Sequence, residues 1–225
     1  GKELWSKKGS GEKIVVKQFE NQNEESRYIA NKLMELMIRE RRKYGDFAVL
    51  YRTNAQSNAI ESVLVRSGIP YRVVGGHKFY ERKEIKDLLA YLRLINNPFD
   101  SEALLRIINF PKRGIGAKTV DTLQAYAFHN ECSVYDALLD LDEMGFTGAT
   151  KQKLADFRNL VKGWIIDGQD LAVNELVKRI VVDTQMREAY ADDSDESINK
   201  RANIEEYINS VDEYCRLNDG ATLND

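Results

Sequence analysis

The chain has 225 residues, 43% of them hydrophobic, with 33 Lys or Arg set against 36 Asp or Glu for a formal net charge of −3. That apolar content excludes disorder throughout, and three prolines, far below the usual share of roughly 5%, favour long helices over a protein of strands and turns. The charge is unevenly spread: residues 1–120 carry 23 basic and 14 acidic side chains (net +9), while 121–225 carry 10 and 22 (net −12), which predicts that one half meets an anionic partner.

In chain order, the Gly/Ser/Lys-rich stretch Ser6 to Gly11 reads as a loop before a short β-type run, Ile14 to Phe19. Ile29, Leu33, Leu36 and Met37 then recur at helical spacing, ending in the basic run Arg39 to Lys43 before Gly45. Phe47 to Tyr51 is a continuous apolar run of the kind found in buried parallel strands. Ile60, Val63 and Leu64 form a second helical face, stopped by Gly68-Ile69-Pro70, and Tyr71 to Val74 reads as a third strand. This β-α-β-α-β order predicts a parallel sheet with crossover helices.

From Glu84 onward the period is helical. Ile85, Leu88, Leu89, Leu92 and Ile95 form one face, ended by Asn97-Pro98. Later faces include Leu154 with Phe157, Val161 and Trp164, and Ile204 with Ile208, Val211 and Cys215, while the acidic stretch Asp192 to Glu196 reads as an exposed loop. The predicted fold class is therefore α/β plus all-α, with a partial parallel sheet over residues 1–98 and a helical domain over 99–225.

No apolar run approaches the roughly 20 residues of a membrane span, and no signal-like segment opens the chain. Cys132 and Cys215 are too few for a disulfide scaffold, so a soluble intracellular protein with reduced thiols is expected. The lack of an initiating Met, and an end on a helical pattern, suggest a segment of a longer chain. His129 with Cys132 is a single close pair without the further ligands a zinc site needs, and no metal is expected.

Two places can carry chemistry. Tyr51-Arg52-Thr53-Asn54 stands at the end of a predicted buried strand, the edge at which open α/β sheets bind ligands. A guanidinium there suits phosphate and Tyr51 offers a face for a base, although an arginine merely salt-bridged at a strand end has the same pattern. The second place is Pro111-Lys112-Arg113-Gly114-Ile115-Gly116-Ala117-Lys118-Thr119, between two helical patterns. Its glycines let backbone approach a partner, Ile115 can tuck into a core, and the next helix presents free N–H groups amid three cations. A nucleic-acid phosphate fits; so does an ordinary interhelical turn with solvated lysines.

Gly116-Ala117-Lys118-Thr119 is not a P-loop, because that motif needs Gly directly before Lys and a strand leading in. The stretch His77 to Lys83 interleaves aromatic and basic residues that can either stack bases or cap the next helix.

Taken in order, these stretches resemble superfamily 1 DNA helicases of the UvrD/PcrA/Rep family, nearest to the PcrA-like members. Phe47-Ala48-Val49-Leu50-Tyr51-Arg52-Thr53-Asn54-Ala55-Gln56-Ser57 is similar to helicase motif IV. Gly68-Ile69-Pro70-Tyr71, Gly75-Gly76 and Phe79 to Asp87 are similar to the block that follows it, and Tyr91-Leu92-Arg93 with the Arg113-Gly114-Ile115-Gly116 turn completes the series. The match covers roughly residues 11–120, with Asn58 departing where relatives commonly carry Arg.

The resemblance implies that residues 1–98 are part of a RecA-like motor lobe (subdomain 2A) and 99–225 most of its helical insertion (subdomain 2B). It gives Arg52 a contact with the γ-phosphate of ATP and Tyr51 a place against the adenine. It gives the Gly114, Ile115 and Gly116 turn, with Lys112, Arg113, Lys118 and Thr119 nearby, a contact with duplex DNA backbone. The Walker motifs fall upstream in the family, and motifs V and VI downstream. The resemblance thus implies a fragment, inactive alone, of an ATP-dependent 3′–5′ helicase of DNA repair or replication. The parent uses ATP and Mg2+, works at single-strand/duplex junctions, meets repair or replication proteins, and is cytoplasmic and nucleoid-associated; no ligand is expected on the fragment. The competing expectation is a non-enzymatic DNA-binding or adaptor protein with a helicase-derived fold.

Overall fold

The computed structural model describes residues 11–74 and 76–223, and among them the regular structure is helical. The helices are α1 (Gln22–Glu40), α2 (Ser57–Arg66), α3 (Lys83–Asn96), α4 (Ser101–Ile107), α5 (Ala117–His129), α6 (Val134–Leu139), α7 (Gly148–Asp170), α8 (Val173–Asp183) and α9 (Asp195–Leu217). Two compact units result, one from the chain up to Leu50 with Ala59–Tyr71, the other from Tyr51–Asn58 with the chain from Arg72 onward.

The expected parallel sheet is absent: no strand or bridge occurs among the described residues. Ile14 to Phe19, Phe47 to Tyr51 and Tyr71 to Val74 do not pair with one another, and Ile14 and Leu50 are each more than 90% exposed. The reason is physical. A helix closes its hydrogen bonds within its own segment, whereas a strand exists only when a second segment supplies the ladder. An apolar, β-branched run shows a capacity for pairing and cannot show that a partner lies beside it.

The first unit rests on a small core of Ala30, Val63, Leu64 and Ile69, with Leu33, Ile60 and Tyr71 against it. Asn21 caps α1 by accepting from the Asn23 and Glu24 amides at 3.1 and 2.9 Å. Gly68, at φ +65°, ends α2: its N–H donates to the Val65 carbonyl, and that of Ile69 to the Leu64 carbonyl. This left-handed closure is the one for which glycine is the natural residue.

The second unit is organised around α3, which packs on α4, α7, α8 and α9. Ile85, Leu88, Leu92 and Ile95 are buried, and so are Ala90, Tyr91 and Leu94 on its other side. Even Asp87 is buried, which its ion pairs with Lys83 (2.7 Å) and Arg106 (2.8 Å) permit. Tyr91 meets Trp164 of α7 edge to face at 5.5 Å, and the indole N–H donates to Asp183 at 2.9 Å. The face predicted for α7, Leu154 with Phe157, Val161 and Trp164, is the one it buries.

The acidic stretch from Asp192 is only partly loop. Asp195 and Glu196 form the first turn of α9, where negative charge complements the helix dipole. Ser194 caps that helix by accepting from the Ser197 amide, and the Asp192 carboxylate accepts from the Ser194 amide (3.0 Å) and the Ser197 hydroxyl (2.6 Å). Hydrogen bonding from the Ser194 side chain, then from the Ser197 hydroxyl and the Ser194 amide, holds the Asp192 carboxyl down at about 2. Because the folded value is depressed, the contribution to α9 is complete above the ordinary aspartate value of about 3.9 and fades as pH falls toward about 2. Carbon-detected NMR titration should find the Asp192 midpoint near 2, and Ser197→Ala should move it up toward the ordinary aspartate range.

Candidate functional site

Tyr51 and Arg52 are exposed at the start of the segment that leads into α2. A 3-10 turn, Asn54–Gln56, follows them, and the Gln56 side-chain oxygen accepts from both the Arg52 and Thr53 amides at 3.0 Å. The Ser57 hydroxyl donates to the Asn54 carbonyl at 3.0 Å. This turn fixes the backbone of Arg52 and leaves its side chain outside: no hydrogen bond or ion pair engages the Arg52 guanidinium among the described residues. An unengaged guanidinium on a braced backbone can meet an anion without first breaking an ion pair.

The aromatic and basic stretch before α3 faces the other way. Phe79 is fully buried, the Arg82 guanidinium is buried with it, and Lys83 pairs with Asp87 while lying 3.9 Å from the centre of the Phe110 ring. Tyr80, half-exposed, meets Phe79 and Tyr207 edge to face. These contacts pack the stretch against the helical unit, and no side chain of it caps α3, whose N-cap Arg82 makes no side-chain cap hydrogen bond.

The turn from Asn109 to Thr119 is built around Asn109 and Arg113. The Asn109 side-chain oxygen accepts from the Arg113 amide (2.9 Å) and the Ile115 amide (3.1 Å). Arg113, expected among the phosphate-facing cations, points inward: Nη1 donates to the carbonyls of Ile107 (2.8 Å) and Phe110 (3.0 Å), and Nη2 to the Tyr91 hydroxyl (2.7 Å). Its guanidinium also lies 5.1 Å from the centre of the Phe157 ring. Burial, aided by the Asp87 charge and opposed by Arg113, pushes the Tyr91 hydroxyl up to about 12. It therefore stays protonated, donating to the Phe110 carbonyl while accepting from Arg113.

Ile115 is 2% exposed and anchors the turn, in keeping with its position between two glycines. Gly114 has φ +70°, a conformation that L side chains rarely adopt, and a Cβ there would fall 2.8 Å from Lys153 Nζ. Gly116 is the N-cap of α5 without a side-chain cap; the Thr119 and Val120 amides return to its carbonyl. The Ala117 and Lys118 amides occupy the helix start, where no intrahelical acceptor exists.

Lys112 and Lys118 are exposed at this end, and the structure adds a third lysine that sequence spacing does not reveal. Lys153 of α7 reaches the turn and donates to the Gly114 carbonyl at 3.3 Å. Among the described residues none of the three forms an ion pair. A polar cleft of about 360 Å³ beside the turn is lined by Lys112 and Arg113 together with Asp183 and Glu188, so charges of both signs face it. The turn can thus offer an anion two free amides and three ammonium groups on a backbone fixed by Arg113.

A description of the UvrD-like helicase C-terminal domain matches residues 1–222. The chain is 38% identical over 224 residues to the ATP-dependent DNA helicase PcrA of Bacillus subtilis, a match covering 99% of this chain and 30% of that protein. It is also 38% identical to the PcrA helicases of Staphylococcus epidermidis, over 216 residues (96% of this chain, 29% of that one), and of Staphylococcus aureus, over 214 residues (95% and 29%). It therefore spans about 30% of the length of the curated relatives it matches. The match runs through both the Arg52 segment and the glycine turn, and the chain belongs to the UvrD-like helicase C-terminal domain family.

Proposed function

We propose that the chain works as part of an ATP-driven 3′–5′ DNA helicase, contributing Arg52 to ATP hydrolysis and the Gly114–Thr119 turn to duplex binding. The observation that carries this reading is the pairing of family membership across the chain with an exposed Arg52 whose guanidinium has no competing partner among the described residues. In this reading residues 1–98 belong with the motor lobe and 99–225 with its helical insertion. The parent acts at single-strand/duplex junctions in repair or replication, in the cytoplasm and on the nucleoid.

Arg52 meets the γ-phosphate of ATP bound mostly by the rest of the parent, and Tyr51 packs on the adenine. As the transferring phosphoryl group spreads charge over its oxygens, a fixed guanidinium lowers the barrier by an amount worth about 10³-fold or more in rate. Among the described residues no group of three or more His, Cys, Asp or Glu is arranged to hold a metal ion. This reading assigns Mg2+ to residues elsewhere in the parent. At the turn, Lys112, Lys118 and Lys153 meet backbone phosphates while Gly114 and Gly116 let the strand approach; these contacts read no bases. Arg113 holds the turn from behind and Ile115 anchors it, while Thr119 starts the α5 ladder.

Four outcomes are expected. The purified 225-residue chain should neither turn over ATP in the presence of DNA nor unwind a duplex, and DNA-stimulated phosphate release from it would overturn the division of labour. In the full-length parent, Arg52→Ala should lower kcat for ATP hydrolysis by about 10³-fold with a much smaller change in KM. Changing Lys112, Lys118 and Lys153 together to Glu should abolish low-salt duplex binding. Each single Lys→Ala change that frees one backbone phosphate should make the log–log salt slope shallower by about 0.9, as read by fluorescence anisotropy across a salt series.

A further inference from the structure

We infer that the buried Arg82–Asn203 linkage is a positioning device for Arg52, through which α9 holds the turn that presents it. This inference rests on the reading of Arg52 as the phosphate-contacting residue. Arg82 is 7% exposed, and its guanidinium joins three segments distant in sequence. Nη1 donates to the Asn54 carbonyl at 2.8 Å and to the Asn203 side-chain oxygen at 2.9 Å, and Nη2 donates to the Ser57 hydroxyl at 2.7 Å. Asn203, 3% exposed on α9, is itself fixed because its amide donates to Glu84 at 2.5 Å. One helical turn further along α9, Glu206 accepts from Asn58 at 3.2 Å.

Three links of this network end on residues 54–58, shortly after Arg52: Arg82 to the Asn54 carbonyl, Arg82 to the Ser57 hydroxyl, and Asn58 to Glu206. The same turn carries Gln56, whose side chain captures the Arg52 and Thr53 amides. The order of constraint is α9 to Arg82, Arg82 to the Asn54–Ser57 turn, and that turn to the Arg52 backbone. Stability alone gives little reason for a buried guanidinium here, because apolar residues of similar volume often fill such a site as well. What the charged, directional group adds is geometric: it fixes a carbonyl and a hydroxyl, and neighbouring packing residues cannot supply those vectors. Arg82 and Asn203 do not touch a phosphate in this scheme. They hold the residue that does.

The test uses the full-length parent and measures steady-state ATP hydrolysis. Asn203→Ala should lower kcat by about 10-fold to 10²-fold, the scale on which misplacing a catalytic group by about an ångström acts. KM for ATP should stay within about twofold, since the loss falls on transition-state contacts. Ser57→Ala removes one acceptor of Arg82 and the hydroxyl that donates to the Asn54 carbonyl, with little loss of volume; it should lower kcat in the same direction in a parent that thermal unfolding shows to be folded at the assay temperature. The deciding measurement is the double variant. Asn203→Ala or Ser57→Ala placed on Arg52→Ala should cause no further loss, because a group that acts only through Arg52 has nothing left to position. Multiplying losses, or single variants with unchanged kcat, would overturn the positioning role. If Arg52→Ala itself leaves kcat unchanged, the assignment of Arg52 is what fails, and the two failures are told apart by that one control.

Discussion

A guanidinium cannot shed its charge at neutral pH, so a buried one must be surrounded by oxygen acceptors wherever the chain can supply them. Two arginines of the helical unit meet that demand at turns. Arg113 takes carbonyls of the Ile107–Pro111 segment and the Tyr91 hydroxyl, and Arg82 takes the Asn54 carbonyl, the Ser57 hydroxyl and Asn203. In each case backbone carbonyls beside exposed cations are among the acceptors, with Lys112 and Lys118 in one place and Arg52 in the other. The inward arginine ties down carbonyls of irregular backbone, and the outward cations stand on the same stretch. The α3 helix is the common support, because Tyr91 and Glu84 of that helix lie in the two networks.

Much of the helical unit can be read from spacing. The faces of α3 and α7 are local facts: four or five apolar residues at intervals of three and four declare which side of a helix is buried. The stop after α3 at Asn97-Pro98 and the glycine closure after α2 are local too. Whether a sheet forms is not legible in this way, because strand pairing depends on which other segment lies alongside, and the runs at Ile14 to Phe19 and Phe47 to Tyr51 carry no information about that. The acidic stretch at Asp192 misleads for a smaller reason. Its composition is that of a loop, yet Ser194 followed three residues later by Ser197 makes a helix start in which the acidic residues serve the dipole.

The same distinction separates the parts of the candidate site. Arg52, and the pattern of glycines and lysines in the turn, are contiguous and can be found by motif. Lys153 is 39 residues from the Gly114 carbonyl it reaches, and Asn203 is 121 residues from Arg82. No window of sequence contains either pair. Composition also misleads about Arg113: three basic residues around two glycines look alike in a string, and only the nearby carbonyls and Tyr91 decide which cation is drawn inward.

The opposed charges of the two halves acquire a structural meaning from this sorting of inward and outward groups. Many acidic side chains after residue 120 are engaged locally: Asp212 with Lys178, Asp167 and Asp183 with Arg179, Glu205 with Arg187. The positive charge at the turn is not cancelled in this way, and Lys153 shows why the two halves cannot be treated as separate surfaces. It comes from the acidic half, yet it reaches the turn of the basic half and occupies the space that the missing Cβ of Gly114 leaves free. Glycine at 114 therefore does two jobs. It permits the positive φ that shapes the turn, and it leaves room beside the backbone for a cation from another helix. A net charge of −3 for the whole chain is compatible with local attraction of a phosphate backbone, because the field that matters is set within a Debye length of about 8–10 Å by the groups that face outward there.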